Sequence, residues 1–153
     1  MKHYKDESNN LYAYESDGSQ DAFIKEGLVP ISDEDLAAMI APTTEQLLSQ
    51  LTAARKEQER QGVTINGIRY AGDPGNRQAL QEAIAFMEDA GLTEFESWKD
   101  SDNAFHASHP LIDVVDAYQA LGARRAELIA AEGEYAAQIT GGTFTDLSLV
   151  TWP

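Results

Sequence analysis

The sequence contains no cysteine. Disulfide bonds, thiolate metal sites and a cysteine nucleophile are therefore excluded, although such a composition suits the cytosol and many other compartments. Only three histidines are present and no Gly-x-Ser-x-Gly sequence occurs, so no hydrolytic triad can be assigned. The composition indicates a protein that is not an enzyme, with an enzyme of unrecognised type as a remote alternative.

Positive charge is scarce as well. Eleven basic residues stand against 26 acidic ones, which gives a net charge of −15. Such a surface repels phosphate backbones and anionic lipid headgroups, so neither nucleic acid nor a membrane is an expected partner. No apolar run approaches the roughly 20 residues of a membrane span, and the first residues are too polar for a cleavable signal. A soluble protein is expected.

The 153 residues suit one ordinary domain, or a small module followed by a larger one. The pattern of turns and apolar residues predicts an α+β fold in three parts. A small β-rich module that ends in a short helix is expected over residues 1–42, and a helix, hairpin, helix, hairpin, long-helix domain over residues 43–140. An extended C-terminal tail is expected over residues 141–153.

The stretch from Gly62 to Tyr70 gives the clearest structural prediction in the chain. Asn66-Gly67 lies at its centre, and both residues tolerate the positive φ angles of a type I′ turn. The stretch therefore predicts a tight β-hairpin, with Asn66 and Gly67 as its structural turn. This turn would gather the apolar side chains on one face, to be buried against the flanking helices: Val63, Ile65, Ile68 and Tyr70.

In the N-terminal module, short strands around Tyr4 and at Leu11–Tyr14 flank a turn-rich segment. Pro30 indicates an edge strand or no strand. Ser32 is placed to cap a short helix that Pro42 ends. One face of this helix is expected to turn inward, with Leu36, Met39 and Ile40.

Three further helices are predicted. The first runs from about Thr44 to Gln61, with an inward side formed by Leu47, Leu48, Leu51, Ala54 and Gln58. Its end is expected to be solvated and charged, with Arg55, Lys56, Glu57, Glu59 and Arg60. The second is capped by Asp73 and stopped by Gly91. A second hairpin is predicted at residues 95–107. The third helix follows it and extends from Pro110 to about Ile139. The residues expected on its inward face are Leu111, Val114, Val115, Tyr118, Leu121, Leu128 and Ile129.

The patterns of metal and nucleotide sites are weak or incomplete, and no cofactor is predicted. His106 and His109 are followed by Asp113 and Asp116, but Pro110 separates the histidines from the helix. The segment Asp100–Asn103 lacks the later ligands of a calcium loop and is interpreted as a turn. The glycines around Asp73 lack the Gly-Lys-Ser/Thr ending of a phosphate loop.

Two stretches of the chain resemble parts of bacteriophage tail proteins. The opening is similar to the short N-terminal module of tail fibre assembly or tail fibre accessory proteins, through Tyr4-Lys5-Asp6, Leu11-Tyr12-Ala13-Tyr14, Asp17-Gly18-Ser19-Gln20, Phe23-Ile24 and Leu28-Val29-Pro30-Ile31-Ser32. The second stretch, from about Thr44 to Ile139, resembles an uncharacterised phage-tail domain that follows such modules. Its resemblance is carried by Arg55, Glu57, the hairpin from Gly62 to Tyr70, Arg77, Trp98-Lys99 and Phe105.

This resemblance implies a virion or morphogenesis protein that binds the tail fibre or baseplate. A chaperone would hold the fibre in the host cytoplasm during assembly, whereas a virion component would stay in the tail. A tail or baseplate subunit unrelated to fibre assembly is the alternative. Whether the chain forms a homo-oligomer is left open. The segments Ala71–Gly75 and Gly141–Pro153 depart from the family pattern.

The C-terminal tail carries apolar residues at both even and odd positions: Phe144, Leu147, Leu149, Val150 and Trp152. A strand with this pattern is apolar on both faces. One hypothesis is that the tail adds a strand to a neighbouring subunit or the fibre protein, so these five residues are candidate partner-binding residues. The equally weighted alternative is that it folds back beside the chain's own hairpins.

Overall fold

The computed structural model describes all 153 residues, which form two compact units, Met1–Thr43 and Thr44–Pro153. The predicted α+β class is confirmed, with a small β-rich N-terminal region and a long helix near the C-terminus. None of the helices combines the length and the hydropathy that a membrane span requires.

Unit 1 is a three-stranded antiparallel sheet followed by one helix. The strands are β1 (Lys2–Lys5), β2 (Leu11–Tyr14) and β3 (Val29–Ile31), in the order β2-β1-β3, and the helix is α1 (Asp33–Ile40). Pro30 lies in edge strand β3, as its missing N–H requires. The hydroxyl of Ser32 accepts a hydrogen bond from the amide of Asp35, which confirms the predicted cap.

Unit 1 contains no buried side chain. Leu36 and Met39 on α1 are only half-buried, and Ile40 is exposed. The predicted inward position of Ile40 is therefore wrong, because Ile40 is the last residue of the helix and no further turn continues the packed face.

Unit 2 follows the predicted order of helix, hairpin, helix, hairpin and long helix. Its elements are α2 (Thr44–Gln61), β4 (Val63–Ile65), β5 (Ile68–Tyr70), α3 (Pro74–Asp89), β6 (Glu94–Lys99), β7 (Phe105–Pro110) and α4 (Leu111–Thr140). A single 3-10 turn, Leu147–Leu149, interrupts the tail that follows. Asp73 caps α3 by accepting from the amide of Asn76, as its position predicts.

The first hairpin has the predicted register, with Val63 opposite Tyr70 and Ile65 opposite Ile68. Asn66 and Gly67 both have positive φ angles, 50° and 81°, as a type I′ turn requires. Tyr70 is buried in a cluster with residues of α3 and α4: Leu80, Val114, Ala117 and Leu121. The hairpin thus buries its apolar face against helices, but of the two helices that flank it in the sequence only α3 contributes to this cluster, and α4 supplies the other buried residues.

A second buried cluster joins α2 to the end of α4, and the C-terminal tail covers it. The cluster comprises Leu47, Leu51 and Ile139, and the tail residues packed against it include Phe144, Leu147, Val150 and Trp152. The tail therefore packs within its own chain, on helices rather than beside the hairpins.

The predicted strand geometry of the tail is wrong. In the 3-10 turn, residues three apart point to the same side, so Leu147 and Val150 both face the cluster. Leu149 points away and is 65% exposed.

The charged end of α2 is not uniformly solvated. Arg55 and Glu59 are buried, with 9% and 8% exposure, because they continue the inward i, i+4 row of Leu47 and Leu51. Ala54 is exposed instead. Glu59 is paired with Arg55, Arg77 and Arg125, while Arg55 is also paired with Glu132.

Another expected core position is also wrong. Ile129 of α4 is 41% exposed, whereas the adjacent Leu128 is fully buried. Consecutive residues of a helix point about 100° apart, so Leu128 takes the inward position of this turn and Ile129 lies at its edge.

Candidate functional site

The turn of the second hairpin is hydrogen-bonded to the end of the first hairpin. The hydroxyl oxygen of Ser101 accepts a hydrogen bond from the amide of Ala71 at 2.7 Å. The guanidinium of Arg69 donates to the carboxylate of Asp102 at 2.6 Å and to the carbonyl of Ser101 at 3.1 Å. Two hairpins that share no strand are thereby held in a fixed relation.

Beside this junction lies a cavity of about 250 Å³ between α3 and the ends of β5 and β6. Its wall is mainly apolar and includes Tyr70, Leu80, Ala83 and Trp98. A neighbouring polar cavity of about 450 Å³ shares Lys99 and Ser101 with it and is also lined by Arg60 and Arg69. We refer to the two cavities together as the cleft.

The aromatic wall of the cleft is supported from behind by His109. The hydroxyl oxygen of Tyr70 lies 2.6 Å from Nε2 of His109, and the Trp98 ring stacks on the imidazole with centroids 5.5 Å apart. Burial raises the pKa of Tyr70 to about 12 and lowers the pKa of His109. Both groups are therefore neutral at pH 7, and the wall carries no charge.

The rim of the cleft is polar, and most of its charges are paired. Arg69 is bound to Asp102, and Arg60 donates to Glu57 at 2.7 Å. Asp100 accepts from His106 at 2.8 Å, and this hydrogen bond is the main reason that the pKa of Asp100 is lowered. Lys99 forms no ion pair, and its ammonium lies 5.8 Å from the centre of the Phe105 ring.

The residues singled out from the sequence do not form one site. Four of the five tail residues pack against the second cluster, and only Leu149 is exposed. Asn66 and Gly67 form the turn of the first hairpin, where the side-chain amide of Asn66 donates to the carboxylate of Asp113 at 3.1 Å. His106 and His109 bind different partners, Asp100 and Tyr70, and no three potential metal ligands converge.

Sequence reasoning missed the cleft, although part of its signal was present. Trp98 lies half-buried in the cleft wall. Its neighbour Lys99 is one of few cations in an acidic chain. An aromatic residue followed by a cation at the end of a predicted strand was the available signal.

The family described as Domain of unknown function (DUF4376) matches residues 42–150. This match covers more than two thirds of the chain and includes the whole of the cleft. Searches of curated proteins and of solved structures gave no match. On the family match, the chain belongs to the DUF4376 family.

Proposed function

We propose that this protein is a non-enzymatic bacteriophage tail protein that binds the tail fibre or the baseplate. It acts either as a tail fibre assembly factor, in the host cytoplasm, or as a fibre-associated component that stays in the virion. The proposal draws its phage context from the resemblance of residues 4–32 to the N-terminal module of tail fibre assembly proteins.

The observation that carries the binding role is the packing of unit 1. Its 43 residues bury no side chain completely, while Phe23 is 73% exposed and Val29 56% exposed. When a partner covers exposed apolar side chains, the free energy falls by roughly 25 cal/mol per Å² of apolar surface removed from water. A module of this kind is suited to completing its packing on another protein.

The cleft of unit 2 supports the same role in a different way. Its wall is fixed by the hydrogen bonds around Ser101 and by the stacking of Trp98 on His109. A preformed apolar pocket of this size can receive one anchoring side chain without a large loss of conformational entropy. Unit 2 therefore offers a rigid anchor point for a partner.

The test measures association with the fibre and the baseplate. Purified phage particles and infected-cell lysates are analysed by quantitative mass spectrometry, and the copy number of this protein is compared with that of the fibre and a baseplate protein. Retention in particles at a ratio near that of the fibre supports the virion component. Association with the fibre in lysates, followed by loss from particles, supports the assembly factor.

A matched variant ties the result to the structure. Phe23→Ser removes an exposed apolar side chain from unit 1, and Lys56→Ser changes an exposed residue of unit 2 as the control. We expect only Phe23→Ser to weaken the association. Absence of the protein from particles together with no association with fibre or baseplate in lysates would reject the proposed function.

A further inference from the structure

Hydrogen-bond donors remain unused at the point where the two cavities of the cleft meet. Lys99 lines both cavities and has no carboxylate partner. The hydroxyl of Ser101 also lines both, and its oxygen accepts from the amide of Ala71, which leaves its O–H free to donate. The meeting point thus offers an ammonium and a hydroxyl hydrogen.

The two carboxylates at the same rim, those of Asp73 and Asp100, already accept hydrogen bonds from the protein. The carboxylate of Asp100 accepts from the amides of Asp102 and Ala104 and from His106. The carboxylate of Asp73 accepts from both the amide and the side chain of Asn76. A ligand that reaches the rim therefore meets the free donors of Lys99 and Ser101 beside two engaged carboxylates, which favours an acceptor on the ligand.

The apolar cavity determines which kind of side chain the rest of the ligand carries. Its volume of about 250 Å³ and its wall of Tyr70, Trp98, Leu80 and Ala83 suit one aromatic or branched side chain. Aromatic rings gain additional free energy from offset or edge contacts with other rings. The two aromatic residues in the wall make an aromatic group the best occupant.

We propose that the cleft binds an aromatic group that carries a nearby carboxylate, presented by a segment of the partner protein. The ring lies against Trp98 and the small part of Tyr70 that reaches the cavity, and the carboxylate is bound by Lys99 and the hydroxyl of Ser101. The identity of the partner, a tail fibre or baseplate protein, rests on the proposed function, whereas the chemistry of the cleft does not.

The overall charge of the chain restricts this ligand further. At −15 the protein repels a strongly acidic segment, Asp73 and Asp100 place two carboxylates in the lining of the cleft, and the nearby pairs of Arg60 and Arg69 with carboxylates add little net positive potential. Lys99 alone can compensate about one negative charge. The segment is therefore one with a single carboxylate beside its aromatic residue rather than an acidic run.

The first experiment uses two small probes on the full chain. N-acetylphenylalanine has the ring and the carboxylate, and N-acetylphenylalaninamide has the same ring without the charge. Binding is followed by NMR shifts of the amides of Trp98–Ser101. We expect the acid to bind more tightly than the amide, by up to about fivefold, since an exposed ion pair contributes up to about 1 kcal/mol.

Two variants and a control separate charge from shape. Lys99→Met keeps most of the side-chain stem and removes the charge, so the acid should lose its advantage while the amide is unaffected. Ala83→Leu fills the cavity and should abolish the binding of both probes. Lys56→Met, an exposed lysine of α2 outside the cleft, should change neither. Circular dichroism spectra identical to wild type confirm that each variant is folded.

The contrary results are distinct. Equal affinity for the two probes, an acid preference that survives Lys99→Met, or shifts that map outside the cleft would each overturn the proposed chemistry. If the probe results hold but Lys99→Met leaves binding of the purified fibre and baseplate proteins unchanged, the cleft does not take a segment of either partner. Acid preference with no phage-tail association at all would reject the proposed function alone and leave the cleft chemistry standing.

Discussion

The two units of this chain differ in how their folds are stabilised. Unit 1 has no fully buried residue, whereas unit 2 contains all of the buried residues of the protein: Leu47, Leu51, Arg55, Glu59, Tyr70, Ala71, Gly72, Leu80, Met87, His109, Val114, Ala117, Leu121, Leu128 and Ile139. Both are acidic, with three basic and nine acidic residues in unit 1 and eight and seventeen in unit 2. The two units therefore differ in their number of buried residues and not in the sign of their net charge.

Unit 1 relies on short-range polar contacts. The carboxylate of Asp6 accepts from the amides of Ser8 and Asn10 and from the hydroxyl of Tyr12. Each such bond contributes only about 1 kcal/mol net, because it replaces a bond to water. A unit of 43 residues is also near the size below which single domains need further support. Unit 1 is therefore expected to open at a lower free energy than unit 2.

Removal of the tail should produce the largest change in the difference in stability between the two units. Deleting Thr143–Pro153 uncovers Leu47, Leu51 and Ile139 and removes four packed apolar side chains. At roughly 1.5 kcal/mol for each such side chain, unit 2 should lose about 6 kcal/mol. Urea unfolding followed by Trp98 fluorescence measures this loss, and hydrogen exchange should show unit 1 unchanged.

The control for the deletion is Leu149→Ser, which alters the exposed residue of the tail and should cost less than about 0.5 kcal/mol. A truncated chain that keeps its unfolding midpoint but loses a partner or an oligomeric state would contradict packing within the chain. It would restore the hypothesis that the tail is an interface.

Substitution of Glu59 should have the next largest effect. Glu59 is 8% exposed and is paired with Arg55, Arg77 and Arg125, so Glu59→Gln removes a buried negative charge that three guanidinium groups share and leaves Arg55 with Glu132 alone. Loss of one partner from a buried ion pair costs about 3 kcal/mol. Glu57→Gln, two residues away at an exposed position, should cost under about 0.5 kcal/mol. Equal unfolding midpoints for the two variants would show that Glu59 is effectively solvated.

Local structure was predictable from the sequence where the residues that determine a turn or a helix cap lie within the same short segment. Asn66-Gly67 specifies its turn, and Ser32 and Asp73 lie beside the amides that they cap. The burial of Arg55 and Glu59 was not predictable in this way. Their partners include Arg125 and Glu132, which are more than sixty residues away, and a charge run considered alone is typical of a solvated face.

The cleft escaped prediction for the same physical reason. Tyr70 ends a strand, Leu80 and Ala83 belong to a helix, and Trp98 belongs to another hairpin. The hydrogen bonds of Arg69 and Ser101 and the packing of Tyr70 with Leu80 and Trp98 bring these elements together, and the hydrogen-bonded residues are about thirty positions apart in the sequence, which hides that contact. The tail was mistaken for a strand because a 3-10 turn changes which apolar residues face inward.

Two glycines in α4 allow the stability of unit 2 to be raised. Gly122 and Gly133 lie within the helix, and a β-carbon added at either would meet open space. Gly122→Ala and Gly133→Ala should each stabilise unit 2 by about 1 kcal/mol, through helix propensity and a smaller unfolded-state entropy. Gly62→Ala is the contrasting variant, because its β-carbon would overlap the carbonyl oxygen of Tyr70 and the residue has φ of 77°. A destabilising Gly122→Ala would contradict the exposed helical position.

The smallest effect expected is a pH dependence confined to unit 2. Burial lowers the pKa of His109 below 6.5, so the folded state holds this imidazole neutral while the unfolded state binds a proton near pH 6.5. Stability is therefore fully present above pH 6.5 and falls as the pH decreases toward the folded-state pKa, with a slope of at most about 1.4 kcal/mol per pH unit. Urea midpoints from pH 7.5 to pH 5.5, followed by tryptophan fluorescence, measure this slope, since both tryptophans belong to unit 2. His109→Gln keeps a hydrogen-bond partner for Tyr70 and should flatten the profile, whereas an equally steep slope in that variant would assign the titration to another group.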